Sequence, residues 1–229
     1  AGRRVTRAVA VILDVDFTLC RPGPEIGPEG YQSVGQDHGV TVDVTRWEEA
    51  RLAAIDDLEH HPELDHDDAI WLRFTEDLIR GMGGEGPGVR QAALEILDRW
   101  EHAHHFELYD DTIPTLETLR AAGLRIGLLS NSGRDLGLFV EHHGLDVDTW
   151  LTSQTHGKVK PSPSIFRAAL DLVGTRPEET VMVGDSPGDD IAGARSVGMR
   201  AILVDRFERY HDEPERILTL AELPAALGL

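Results

Sequence analysis

The chain has 229 residues, 41% of them hydrophobic and 28% charged, and a net charge of −19. That apolar share is enough to bury a core and excludes global disorder, while the negative charge argues against nucleic acid or an anionic membrane surface as a partner. One cysteine, Cys20, offers no intrachain disulfide and fits a reducing cytoplasm, and no apolar run approaches transmembrane length.

Arg3, Arg4 and Arg7 followed by the apolar run at residues 8–13 have the basic-then-apolar order of a signal peptide. The run is short, ends in Asp14 and Asp16, and has no small-residue cleavage site before them, so it reads as an arginine-flanked first strand. Being continuous rather than alternating, it predicts a strand buried on both faces. Residues 21–108 then break away. They hold 20 acidic against 7 basic residues, net −13, leaving −6 for the rest of the chain. They open on a loop rich in Pro and Gly at residues 21–30, a hinge by composition. Helical spacing follows at Trp47, Ala54, Ile55 and Leu58, at Trp71, Phe74 and Leu78, and at Val89, Ala93, Ile96, Leu97, Trp100 and Ala103. Residues 31–38 are a shorter helical candidate. Three of the four tryptophans sit here as expected core anchors.

Beyond residue 108, helical stretches at 112–122, 135–143, 162–173 and 189–197 each stop at a glycine: Gly123, Gly144, Gly174 and Gly198. Between them lie apolar runs at 125–129, 180–183 and 201–204, with a weaker one at 149–152. Strand and helix in alternation predict an α/β fold: a Rossmann-like parallel sheet with helices on both faces. The expected organisation is a core of residues 1–20 and 109–229, interrupted at 21–108 by an inserted α-helical cap domain of about four helices.

Open α/β sheets bind ligands at the carboxyl ends of their strands, so the residues just after each strand matter most. After the first come Asp14 and Asp16, either a turn with surface aspartates or a chemical pair that the preceding apolar run aims into the crevice. After the second come Ser130, Asn131, Ser132 and Gly133, an ordinary N-cap or the mouth of an anion site. After the third comes Lys158-Val159-Lys160-Pro161, and these are the two lysines among 22 basic residues. A compact ammonium is a different tool from a guanidinium fork. After the fourth come Asp185, Asp189 and Asp190, more acid than helix capping uses and suited to a hard cation. His60, His61 and His66 lie in a polar linker, and His102, His104 and His105 end a helix; no ligand set converges among them.

Taken together, these segments resemble the motif set of the haloacid dehalogenase-like superfamily. Asp14 and Asp16 match its D-x-D-x-T motif, Ser130 the second motif, Lys160 the K-P lysine, and Asp185 and Asp190 the G-D-x-x-x-x-D motif, with Phe17 standing where Gly is common. The resemblance implies a magnesium-dependent phosphatase with Asp14 as nucleophile and Asp16 as acid and base. Asp14, the Asp16 main-chain carbonyl and Asp185 would hold Mg²⁺. Ser130, Asn131 and Lys160 would bind the phosphoryl group, with Asp190 in the outer shell. The implied partner is a small phosphorylated metabolite. Relatives that cleave carbon–halogen bonds need neither the metal nor an acid at Asp16, and phosphonate-cleaving relatives need a cap lysine that residues 21–108 lack. A phosphosugar mutase shares the same groups, and a catalytically inactive binding protein is the non-enzyme alternative.

Overall fold

The computed structural model describes residues 8–58 and 62–229. The basic stretch Arg3, Arg4 and Arg7, and His60 and His61 in the linker, lie outside the described residues. The chain divides into two compact units, one of Ala1–Arg21 with Leu108–Leu229, the other of Pro22–Glu107.

In chain order the elements are strands β1 (Ala10–Leu13) and β2 (Cys20–Pro22), then helices α1 (Pro28–Asp37), α2 (Trp47–Asp56), α3 (Asp68–Gly81) and α4 (Val89–Trp100). Strand β3 (Phe106–Leu108) and helix α5 (Thr112–Ala121) follow, then β4 (Arg125–Ser130), α6 (Leu136–His143), β5 (Thr149–Thr152), α7 (Ser153–His156) and α8 (Pro163–Val173). The chain ends with β6 (Thr180–Gly184), α9 (Gly193–Ser196), β7 (Arg200–Val204), β8 (Arg216–Ile217) and α10 (Leu223–Leu227). Strands β2 and β3 pair in a small sheet of their own.

The larger unit is α/β. Its sheet runs β5-β4-β1-β6-β7-β8 with every neighbouring pair parallel. Strand β1 lies at the centre, and the chain leaves it for β4 on one side and later returns to β6 on the other. That reversal is a topological switch point, where a crevice opens at the strand ends. Both faces of the sheet are buried, as the continuous apolar runs demand. Ala10, Ile12, Met182, Ala201 and Leu203 pack under Ile165, Phe166, Ala169 and Val173 of α8. On the opposite face Val11, Leu13, Leu128, Val183 and Ile202 are equally buried. Gly127 belongs to the α8 face: a Cβ there would stand 2.8 Å from Val173 Cγ2, so its absence lets helix and sheet close up.

Some of these elements escape the sequence pattern. Strand β8 has two residues and α10 five, too short for a period to show. The predicted helix at 189–197 forms in two pieces, a π-helical turn at Pro187–Ala192 and then α9.

The Pro22–Glu107 unit is a helical bundle around Tyr31, Val34, Leu78, Ile79, Met82 and Ile96. Trp47 and Trp100 pack against this core, while Trp71 pairs edge-on with Phe74 at 6.2 Å. Helix α1 begins at Pro28, earlier than the loop at 21–30 suggests, because proline is well suited to a first helical turn. Gly30 belongs to it, since any side chain there would collide with the Glu25 carbonyl. Helix α4 stops at Trp100, and Ala103 falls in a separate 3₁₀ turn with His104 and His105.

Gly127→Leu should force α8 away from the sheet. The expected cost is about 2 kcal/mol, read as a melting temperature lowered by roughly 5 °C. An unchanged melting temperature would show that this contact is not tight.

Candidate active site

The site lies wholly within the α/β unit and is built outward from β1. Asp14 follows the strand directly, and its N–H donates to the Val183 carbonyl at 2.8 Å, continuing the sheet by one residue. The chain then doubles back in a tight turn, with Leu19 and Cys20 N–H groups both donating to the Val15 carbonyl. Phe17 sits in the left-handed region at φ 61°, which explains why glycine suits this position. The turn brings the buried Thr18 hydroxyl back to donate to Asp14 Oδ2 at 3.1 Å. Asp16 faces another way. Both its carboxylate oxygens accept from Arg134 Nη2, at 3.0 and 3.3 Å.

Lys160 reaches the same point from the loop between α7 and α8. Its ammonium is 3% exposed and donates to Asp14 Oδ1 at 2.5 Å, to Asp190 Oδ1 at 2.7 Å and to the Leu129 carbonyl at 3.3 Å. Asp190 in turn accepts the Ser186 N–H on Oδ2 at 3.0 Å. To do so it folds back over Gly184, where a Cβ would stand 2.2 Å from that oxygen, so the Gly before Asp185 is a steric requirement. Asn131 holds the lysine loop from the other side. Its Oδ1 accepts the Lys160 N–H at 2.7 Å, and its Nδ2 donates to the Lys160 carbonyl at 3.1 Å. Ser130, at the end of β4, is buried and donates to Ser132 Oγ at 2.9 Å.

Asp14, Asp185 and Asp190 carry carboxylate oxygens within 4.8 Å of one another, the one such convergence of potential ligands among the described residues. No described histidine belongs to it. One ammonium serves this acidic group, and the electrostatics show the imbalance. Burial pushes the Asp14 carboxyl up to about 7, against the pull of Lys160 and with the help of Asp190 and Asp16. Asp185 is driven well above the usual carboxylate range by burial, then by Asp14 and Asp190. Asp190 is raised by burial, with Lys160 opposing. Burial works against the Lys160 charge too, but Asp14 and Asp190 outweigh it and hold the ammonium protonated. Clustered oxygen donors with surplus negative charge suit a hard divalent cation such as Mg²⁺, so the donor set fits the metal expected from the motifs.

The predicted residues fall into three groups. Asp14, Lys160, Asp185 and Asp190 converge. Ser130 stands at the end of the neighbouring strand. Asn131 and Asp16 lie alongside with their side chains engaged elsewhere, Asn131 on the Lys160 backbone and Asp16 on Arg134. The Asn131 amide is thus taken up in holding the Lys160 loop. Asp16, expected to offer a metal its main-chain carbonyl, keeps its carboxylate outside the acidic group. Two contributors were missed. Thr18 was legible as the T of D-x-D-x-T, whereas Arg134 carried no signal in a chain with 20 arginines.

The sequence matches the family described as haloacid dehalogenase-like hydrolase over residues 9–198. It is 30% identical to phosphoserine phosphatase of Thermus thermophilus, in an alignment spanning 88% of this chain and 90% of that protein. Among solved structures it resembles a haloacid dehalogenase-like phosphatase from Thermococcus onnurineus, with TM-score 0.64, 29% identity and coverage of 96% and 97% of the two chains. It is also similar to 2-haloacid dehalogenase from Pseudomonas syringae, with TM-score 0.63, 28% identity and coverage of 96% and 98%.

The raised Asp14 carboxyl has a thermodynamic signature. A folded-state value of about 7 against an ordinary 3.8 means the folded protein binds more protons than the unfolded one between those limits. Stability from this group is therefore lost as pH rises through that window. In EDTA, Asp14→Asn should gain thermal stability relative to wild type as pH goes from about 4 to about 7. A difference that stays flat with pH would refute the assignment.

Proposed function

Because the chain belongs to the haloacid dehalogenase-like hydrolase family, we propose that it is a magnesium-dependent phosphatase acting on a small organic phosphate monoester through an aspartyl-phosphate. The observation that carries this reading is the Asp14 carboxylate, held at the switch point between the Lys160 ammonium and the Thr18 hydroxyl. A carboxylate so held is suited to act as a nucleophile toward phosphorus.

Two displacements then follow. An Asp14 oxygen bonds to phosphorus as the bond to the leaving oxygen breaks, and Asp16 gives that oxygen its proton. Water then attacks the phosphorus, Asp16 takes the water proton back, and the bond to Asp14 breaks to release phosphate. Lys160 and Ser130, with the Asn131 main chain, bind the equatorial oxygens and offset the charge that develops on them. Asp14 and Asp185, with Asp190 beside them and the Asp16 carbonyl as a further donor, would hold Mg²⁺, which when bound neutralises charge between the nucleophile and its anionic substrate. Asp190 also keeps Lys160 in place.

The phosphatase names of the Thermus and Thermococcus proteins support this reading. The runner-up is a dehalogenase, favoured by the likeness to the Pseudomonas enzyme. Halide departs as a stable anion and needs neither a proton donor nor a divalent cation. Asp16 and the acidic convergence would then have no task, so phosphate is preferred. We assign the helical unit at residues 22–107 the role of a substrate-selecting cap, and its acidic surface favours a singly phosphorylated metabolite over a polyanion. Among the described residues no helix is long and apolar enough to cross a membrane, and a cytoplasmic site of action is our reading.

Asp14→Asn should lower kcat on 4-nitrophenyl phosphate by roughly a thousandfold or more. Substantial remaining turnover would exclude Asp14 as the nucleophile. EDTA should silence the wild type and Mg²⁺ should restore it. Release of halide from a 2-haloacid, untouched by EDTA, would instead select the dehalogenase.

A further inference from the structure

Arg134 is among the largest fully buried side chains, 2% exposed. Burying a guanidinium is costly unless a carboxylate meets it with good geometry. The structure spends several contacts on placing this one. Asp135, the next residue, caps α6 by accepting the Gly137 and Leu138 N–H groups at 2.8 and 3.2 Å, which fixes the backbone at Arg134. The guanidinium carbon lies 5.3 Å from the centre of the Phe139 ring, one turn into that helix. From this support Nη2 reaches both oxygens of Asp16, and the Cys20 thiol touches Oδ1 more weakly at 3.8 Å.

Asp16 sits two residues from Asp14, beside a buried ammonium that would attract any loose carboxylate. We propose that Arg134 is a positioning residue for Asp16: it keeps that carboxylate out of the Asp14–Lys160–Asp190 cluster and presents one of its oxygens to the leaving group. The inference rests on the reading of Asp16 as the proton donor above. The two contacts are unequal, 3.0 Å to Oδ1 and 3.3 Å to Oδ2. Oδ1, which also takes the Cys20 thiol, is therefore the anchored oxygen, and Oδ2 is the more loosely held one that faces the reaction in this reading. A residue with that task matters in proportion to how much the leaving group needs a proton.

The test compares 4-nitrophenyl phosphate, whose leaving group departs readily as an anion, with phenyl phosphate, whose leaving group needs more help. Arg134→Gln should lose roughly tenfold more kcat on phenyl phosphate than on the nitrophenyl ester, a share of the factor that general acids supply, with KM nearly unchanged. Arg134→Lys, which keeps the charge and is the variant to use if the glutamine chain fails to fold, should recover part of the loss. In an Asp16→Asn background, Arg134→Gln should change kcat by less than about twofold, because coupled residues are not additive. Equal losses on both esters, a loss confined to KM, or a full further loss in the Asp16→Asn background would overturn the inference. A wild type inactive on both esters with Mg²⁺ present would instead overturn the phosphatase reading itself.

Discussion

The Lys160 ammonium, held between Asp14 and Asp190, is the contact around which the site is organised. Its three partners, counting the Leu129 carbonyl, come from the ends of β1 and β4 and from the turn after β6. A parallel sheet with β1 at its centre brings those ends together without any local sequence proximity. The lysine itself comes from a loop outside the sheet, so its position has to be imposed. Asn131 imposes it by binding both the N–H and the carbonyl of Lys160. Gly184 and Gly193 permit it by omission: side chains there would strike Asp190 and the ring of Phe166, respectively. The second collision would also press on Pro161, the residue next to the lysine.

The charge balance around that ammonium is deliberately poor from the standpoint of folding. Three carboxylates share one buried cation, and burial raises all three above their ordinary range. A stable core would replace such a group with apolar side chains. Sites that must bind a cation, or meet a phosphate dianion with one, are built in this way, and stability is given up locally for function. The choice of cation fits the same logic. In a chain with 20 arginines, the residue buried between Asp14 and Asp190 is one of two lysines, whose compact ammonium is a point charge rather than a planar fork.

Much of this was legible in the sequence because each strand end announces itself twice, by an apolar run and by the unusual residues after it. Even the weak run at Thr149–Thr152 became the edge strand β5. Legibility failed where elements are too short for a period, as in β8 and α10, and where a helix starts at a proline inside a turn-rich loop, as at Pro28. It failed for side-chain direction as well. Nothing in the residue order says that the Asn131 amide turns to the Lys160 backbone, or that one arginine of many is buried. Those outcomes depend on which loops the sheet brings side by side.

Asp16 shows why such directions carry meaning. Its backbone belongs to a turn closed by the Phe17 N–H on the Cys20 carbonyl at 2.7 Å, with Phe17 held at a positive φ that a non-glycine residue enters at some cost. Its carboxylate is fixed separately by Arg134. Main chain and side chain are thus constrained by different neighbours, one local in sequence and one 118 residues away. Asp14 is restrained by charge, and a bound cation or substrate can compete for it. Asp16 is restrained by its turn and by a cation outside the acidic cluster. In the proposed mechanism, a nucleophile that can exchange partners thus stands beside a proton carrier whose position is set from outside the acidic cluster.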